Sequence, residues 1–261
     1  MRKRAIHRHF TRVAQQYRDL RTTDPEPPLY IKKKLTGSKK IEAADVGCGD
    51  GRYNLELFKC LGDRLNLSCI DANPDMLKQL HSYLAYHKIE NFQTKKAYAE
   101  NLPIEESSLD CIFTFNAIHH FDLTGFLEEA SRVLKDNGHL FVYTRLKNQN
   151  SRNIWGKHFP KFSQKETRLY EMKELNEQIE KAPDLKLQNL EQFKYRRISN
   201  IERLVQQAEN HHYSTFSLYN REELKDSIEQ FRQNIKQEFN GQKDISWFDE
   251  NIMLVMRKQT S

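Results

Sequence analysis

Three glycines stand at alternate positions in Asp45-Val46-Gly47-Cys48-Gly49-Asp50-Gly51, between the short apolar run Ile41–Val46 and a helix-like segment over Gly51–Cys60. Glycine lets the backbone turn tightly and approach a ligand where a side chain would collide. A strand that runs through such a turn into a helix presents free N–H groups and a dipole that favour a carboxylate. In an open sheet of this kind ligands sit in the crevice beyond the carboxyl ends of the strands. The turn therefore constrains both the architecture and the place of the site.

The residues after the turn repeat the same unit. Leu65–Ile70 reads as a second strand, and Asn73-Pro74-Asp75 starts a helix with an N-cap side chain, a proline at the first helical position and an acid in the first turn. Met76, Leu77, Leu80 and Leu84 follow at helical spacing, then Phe92–Ala97 and Leu109–Phe115 read as strands. Leu123, Phe126, Leu127, Ala130, Val133 and Leu134 make one helical face, which Gly138 is expected to cap, and His139–Thr144 is the fifth strand. Alternating strands and helices specify an α/β fold: a Rossmann-like, mostly parallel sheet of about seven strands with helices on both faces.

Beyond Arg145 the pattern changes. Residues 146–183 are polar and helical, Leu185–Tyr195 is strand-like, and Asn251–Arg257 carries the apolar run of a final strand. Between these strands Ile201, Leu204, Val205 and Ala208 mark a short helix, and Leu224, Ile228, Phe231, Ile235 and Phe239 a longer one. The expected organisation is an N-terminal helical arm over 1–40 that covers the site, and a domain over 41–261. Within that domain the helical segment 146–183 and the helical insertion 197–243 form a lid.

The chain has 261 residues, of which 38% are apolar and 30% charged. There is no stretch of eighteen apolar residues and no apolar core after Met1-Arg2-Lys3-Arg4, which gives the expectation of a cytoplasmic protein with no membrane association. Cys48, Cys60, Cys69 and Cys111 make no short metal-binding pair and read as reduced thiols; no metal site is expected. Of the net charge of +6, residues 1–40 carry twelve Lys or Arg against three Asp or Glu. Such an arm suits an anionic partner or a solvated helix face.

Asp71 lies at the end of the second strand, where an acid can accept hydrogen bonds from both ribose hydroxyls of a nucleoside-containing cofactor. A dinucleotide turn reads G-x-G-x-x-G, whereas Gly47, Gly49 and Gly51 read G-x-G-x-G with Arg52 at the place of the last glycine. The pyrophosphate reading is disfavoured. With these residues in place the sequence resembles the methyltransferase type 11 group of class I S-adenosylmethionine (SAM)-dependent methyltransferases. Asp45–Arg52 is similar to D-x-G-C-G-x-G-R. The run from Tyr98 to Ile104 with Ser107-Ser108-Leu109-Asp110 resembles D-A-E-x-L-P-F and S-F-D. Asn116-Ala117-Ile118-His119-His120-Phe121, and then Glu129, Arg132–Lys135 and Gly138, resemble the segments around the fourth and fifth strands. The resemblance is strong over 40–144 and loose elsewhere.

The resemblance implies roles residue by residue. Asp45, Gly47, Cys48, Gly49 and Gly51 shape the pocket for the methionine part of SAM, and Asp71 holds the ribose. Ala72 and Met76 lie beside the adenine, Ala99 meets its edge through the backbone N–H, and Tyr98 and Glu100 flank it. Tyr98 stands where the group has an acid that accepts from the adenine amino group. Asn116 lies near the transferable methyl, and Tyr17 and Arg21 resemble a pair that closes over the cofactor carboxylate. His119 and His120 are candidates for taking a proton from the attacking hydroxyl or amine.

The expected function is transfer of a methyl group from SAM to an O or N atom of a small molecule by in-line displacement, leaving S-adenosylhomocysteine. Alignment of nucleophile, methyl carbon and sulfonium can supply roughly 7–11 kcal/mol. The segment after Asn116 lacks the N/D-P-P-aromatic pattern of methyltransferases acting on adenine or glutamine. The mixed charge of the long helix over 221–239 suits solvent better than a nucleic-acid track. An RNA methyltransferase that uses the basic arm and a non-catalytic SAM-binding regulator are the alternatives. Oligomeric state is not specified by the sequence.

Overall fold

In the computed structural model, which describes residues 10, 11, 18, 21–182 and 184–260, helix α1 (Glu26–Lys34) precedes β1 (Ile41–Val46), and the glycine turn leads into α2 (Arg52–Leu61). The repeat continues as expected: β2 (Leu65–Asp71), α3 (Pro74–Tyr86), β3 (Phe92–Lys96), β4 (Leu109–Phe115), α4 (Leu123–Val133) and β5 (Leu134–Thr144). After the short helices α5 (Lys147–Arg152), α6 (Ile154–His158) and α7 (Phe162–Lys165) come α8 (Met172–Lys181), β6 (Leu185–Ser199), α9 (Ile201–Glu209), α10 (Arg221–Glu238) and β7 (Ile245–Lys258).

The seven strands form one sheet in the order β3-β2-β1-β4-β5-β7-β6. The pairs from β3 to β5 are parallel, and β7 runs antiparallel to β5. β1 and β4 are buried at almost every residue, which requires cover on both faces. β6 instead alternates between half-buried and exposed residues, as an end strand does, and Lys186, Lys194 and Arg196 stand on its exposed side. Charge along an outer strand discourages pairing with another chain.

Two boundaries differ from the sequence reading. α4 ends at Val133 because Leu134 is already extended and pairs with Leu109, so Gly138 lies within β5 and is not a cap. A Cβ at Gly138 would fall 2.8 Å from the Lys135 carbonyl oxygen and 3.2 Å from that of Asp110, so close backbone approach explains the glycine. β7 starts six residues before Asn251, although Asp249 and Glu250 interrupt its apolar pattern. Both acids are paired, Asp249 with Arg145 and Arg197 and Glu250 with Arg152, which lets the strand run through them.

The chain divides into two compact units. A sheet unit takes Thr22–Thr144, Met172–Glu191 and Ile252–Ser261; a helical unit takes Met1–Arg21, Arg145–Glu171 and Gln192–Asn251. The helical unit has its own core. The predicted apolar face of α10 buries Phe231 and Ile235, with Leu224, Ile228 and Phe239 partly buried beside them. Trp155 stacks on Phe231 at 5.1 Å between centroids and meets Phe216 edge-on at 5.2 Å. Asparagines start its helices: the Asn153, Asn200 and Asn220 side chains accept from Gly156, Arg203 and Glu223 N–H at 2.8–2.9 Å.

His212 lies inside this aromatic cluster, its ring 4.1 Å from Tyr213 and 5.0 Å from Trp155, and it is only 5% exposed. Burial, and then the charges of Arg21 and Arg145, push the imidazole well below its usual pKa. The unfolded chain binds a proton at this position below about pH 6.5 and the folded chain does not, so stability falls as pH drops through that value. The limiting slope for one such histidine is about 1.4 kcal/mol per pH unit. His212→Phe should fit among the surrounding rings and flatten the fall in melting temperature between pH 7 and 5. Identical melting curves for wild type and variant across that range would contradict this account.

Candidate active site

Parallel pairing of β1 to β5 brings the loops after β1, β2, β3 and β4 to one edge of the sheet. The residues of these loops belong to the sheet unit. Gly47, Gly49 and Gly51 have φ of +72°, +56° and +84°, a region that other residues adopt only under strain. The three do different work. A Cβ on Gly47 would lie 2.6 Å from the Ala117 Cβ and 2.9 Å from Phe121 Cζ, and one on Gly51 would lie 2.8 Å from Leu80 Cγ. These two let the turn pack against its neighbours. A Cβ on Gly49 would meet no protein atom within 4 Å, so here the backbone borders open space.

Asp71 ties the turn to the second strand. Its Oδ2 accepts from the Gly49 N–H at 2.9 Å and its Oδ1 from the Asn73 N–H at 2.8 Å. Asn73 then caps α3, accepting from Asp75 and Met76 N–H at 2.8 and 3.2 Å. Each carboxylate oxygen has two lone-pair directions and can accept more than one donor. Met76 is buried and Ala72 half-buried in the same region.

Asp45, at the end of β1, is 1% exposed. Its Oδ2 accepts from Asn54 Nδ2 at 2.8 Å, whereas its buried Oδ1 has no hydrogen-bond partner among the described residues. Burial raises the carboxyl well above its usual pKa, and the nearby charge of Asp71 adds to the rise against the Asn54 bond and Arg52. The Cys48 thiol beside it is likewise pushed well up by burial, which keeps it a neutral packing group.

The remaining predicted residues occupy the next two loops. Ala99 is buried and Tyr98 is 59% exposed. The Glu100 carboxylate accepts from the Asp122 N–H at 2.6 Å and so joins the loop after β3 to the start of α4. Glu129 and Arg132 pin the same loop: Glu129 accepts from Leu102 N–H at 2.7 Å, and Arg132 donates to the Leu102 and Ile104 carbonyls. Asn116, just past β4, holds φ +55° and donates its N–H to the Tyr143 carbonyl at 2.7 Å. Asparagine tolerates this conformation better than most residues. His119 and His120 follow in a single helical turn with ring centroids 4.0 Å apart.

Arg52, which closes the D-x-G-C-G-x-G-R match, has a structural task that spacing did not reveal. The residue is 8% exposed, and its guanidinium donates to the Thr22 carbonyl at 2.7 Å and the Thr23 hydroxyl at 3.3 Å and lies 4.5 Å over the Tyr53 ring. It thus fastens the chain entering α1 to the start of α2. Tyr17 lies outside the described residues. Arg21 belongs to the helical unit, where its guanidinium lies 4.5 Å over the Tyr213 ring.

Residues 44–142, which include all four loops, match the family model described as a methyltransferase domain. The chain carries a class I SAM-dependent methyltransferase domain. Among curated relatives, it is 33% identical over 119 residues to the ubiquinone/menaquinone biosynthesis C-methyltransferase UbiE of Campylobacter jejuni, covering 44% of this chain and 46% of that one. It is 28% identical over 167 residues to the phthiotriol/phenolphthiotriol dimycocerosates methyltransferase of Mycobacterium leprae, covering 61% and 58%. The chain thus spans about half the length of these relatives. The solved structure of the YcgJ protein from Bacillus subtilis shares the fold, with a TM-score of 0.63 over 90% of this chain and 99% of that one at 16% identity.

SAM is the cofactor of this methyltransferase domain, and the sheet edge suits it. The partnerless Oδ1 of Asp45 calls for a donor such as an ammonium group, the open space at Gly49 leaves room for a ligand against the backbone, and the half-buried Asp71 carboxylate at the end of β2 is an acceptor of the kind that hydroxyls require.

Two substitutions test this assignment by calorimetry with S-adenosylhomocysteine. Asp71→Ala removes a charge-assisted acceptor and should weaken binding by about 1.5–3 kcal/mol; an unchanged dissociation constant would remove Asp71 from the cofactor site. Gly49→Val places a β-branched side chain at positive φ and in the open space, and should abolish binding while circular dichroism stays native-like. Tight binding by this variant would mean that the glycine serves the turn alone.

Proposed function

We propose that this protein transfers the methyl group of SAM to a small-molecule acceptor. The observation that supports this most directly is the sheet edge itself, where Asp45, Gly49 and Asp71 combine a buried carboxylate oxygen without a partner, open space and a half-buried strand-end carboxylate in the segment that matches the methyltransferase model. When bound, SAM supplies an electrophilic methyl on a sulfonium centre. The chain's own contribution is to bind and align. In this reading Asp45, Cys48 and the three glycines border the methionine part, Asp71 the ribose, and Ala72, Met76, Tyr98, Ala99 and Glu100 the adenine side. Asn116 borders the reacting centre, where alignment can supply roughly 7–11 kcal/mol of the barrier.

His119 and His120 are the proposed proton acceptors when the nucleophile is a hydroxyl or amine. The Campylobacter relative is named as a C-methyltransferase, so carbon joins oxygen and nitrogen as an acceptor atom to be tested. The relatives named for quinone and lipid products favour a small acceptor over a polynucleotide. Recognition of that acceptor is assigned to the segments outside 44–142, including 146–183 and 197–243.

The test is incubation of the protein with methyl-labelled SAM and fractionated cell extract. Label should enter the small-molecule fraction. Label confined to nucleic acid, or to protein, would replace the small-molecule reading. Tight SAM binding without label transfer to any fraction would mark a binding protein.

A further inference from the structure

Two side chains of the sheet unit, already joined by one hydrogen bond, each bury an oxygen that receives none. Asp45 is 1% exposed near the end of β1, and Asn54 is fully buried in the first turn of α2. Asn54 Nδ2 donates to Asp45 Oδ2 at 2.8 Å. Asp45 Oδ1 and Asn54 Oδ1 are shielded from water, and neither has a hydrogen-bond partner among the described residues. An ionised carboxylate in such a place carries an unsatisfied charge away from water, the costly state for a buried group. A proton on Asp45 removes the charge and turns the carboxyl into a donor, and the adjoining Asn54 Oδ1 is an acceptor that lacks one. An acid and a primary amide can be joined through two hydrogen bonds in this way.

The groups around Asp45 come from four elements. α2 contributes Arg52, β2 places Cys69 opposite Asp45 and Asp71 two residues further on, the glycine turn adds Cys48, and β4 sets the apolar Phe113 opposite. Burial is the largest influence and pushes the carboxyl well above the usual carboxylate range. The charge of Asp71 pushes the same way, while the Asn54 bond and Arg52 act against them. Burial raises the Cys48 and Cys69 thiols as well, so both stay neutral beside it. A cation that enters this place reverses the balance, because an opposite charge close to a carboxyl favours its ionised form.

We propose that Asp45 carries a proton in the cofactor-free protein, held against the Asn54 amide, and releases it to solvent when the ammonium of the cofactor's amino-acid part binds. The Asp45 O–H bond breaks, its electron pair stays on the carboxylate, the proton passes to the buffer and the ligand keeps its own protons. The proposal rests on the placement of the methionine part of SAM beside Asp45. It makes cofactor affinity depend on pH while the charge of the ligand is constant.

Infrared difference spectra of the full chain near neutral pH, with and without S-adenosylhomocysteine, read the proton directly. A protonated-carboxyl band should be present in the cofactor-free protein, disappear on saturation with the ligand and be missing from Asp45→Asn. Calorimetry in phosphate and in imidazole, buffers of low and high ionisation enthalpy, should show release approaching one proton per S-adenosylhomocysteine bound at about pH 6. From about pH 5 to 7 the amine of the ligand stays protonated, and affinity should rise about tenfold per pH unit until free Asp45 ionises, then level off. Affinity that is flat over this range with no proton exchanged, or a carboxyl band that the ligand leaves in place, would overturn the proposal. Release that persists undiminished in Asp45→Asn would assign the proton to another group. The wild type alone decides the first two outcomes, so a variant that fails to fold does not spare the proposal. Binding without proton release leaves the cofactor reading standing, whereas no binding at all strikes that reading and this one with it.

Discussion

The carboxylate at the end of β2 accepts one backbone N–H from the glycine turn after β1 and another from the residue that caps α3. Two loops that belong to different strand–helix units are thereby held at fixed separation by one side chain. The glycine turn alone would be loose, because its positive-φ residues give up conformational freedom without side-chain packing. Its fixity comes from Asp71 on one side and, on the other, from the fit of Gly47 against Ala117 and Phe121 in the loop after β4. The open space at Gly49 is therefore bounded by backbone that is tied down in two directions. A pocket arranged in advance costs little to reorganise when a ligand enters.

Much of this was legible in the sequence because it is local. The glycine spacing, the acid twenty residues on and the Asn73-Pro74 helix start each depend on neighbours along the chain, and all appear in the structure at those residues. What escaped was tertiary. Gly138 looked like a cap, but the demand on it comes from the Lys135 and Asp110 carbonyls that crowd it. The start of β7 was obscured by Asp249 and Glu250, whose charges are balanced by arginines about 50 and 100 residues away. Arg52 read as the last residue of the glycine motif, and only the fold shows that it grips Thr22 and Thr23. The helical unit, assembled from three segments, has no single stretch of sequence that announces it.

The two units carry net charges of opposite sign: the helical unit holds 23 Lys or Arg against 13 Asp or Glu, and the sheet unit 19 against 23. The sheet unit, at −4, holds the buried Asp45 and the half-buried Asp71 at the ends of β1 and β2. The helical unit, at +10, keeps guanidiniums among aromatic rings. A net charge of +6 for the whole chain conceals this division. Fields of this kind raise the local concentration of oppositely charged small molecules before any contact is made.

The position of β7 bears on how the chain is made. The last strand in sequence lies between β5 and β6 in the sheet, with Ile252 opposite Thr144 and Met256 opposite Leu140. On the ribosome, β5 emerges long before its partner does. At about 5–20 residues per second, the delay between Thr144 and Ile252 is on the order of ten seconds. Throughout that interval Leu140, Phe141, Val142 and Tyr143 present an unpaired strand edge, which is the kind of surface that recruits other nascent chains. Production of this protein therefore depends on what shields β5 during synthesis, and slowing translation across the helical segments lengthens the exposure.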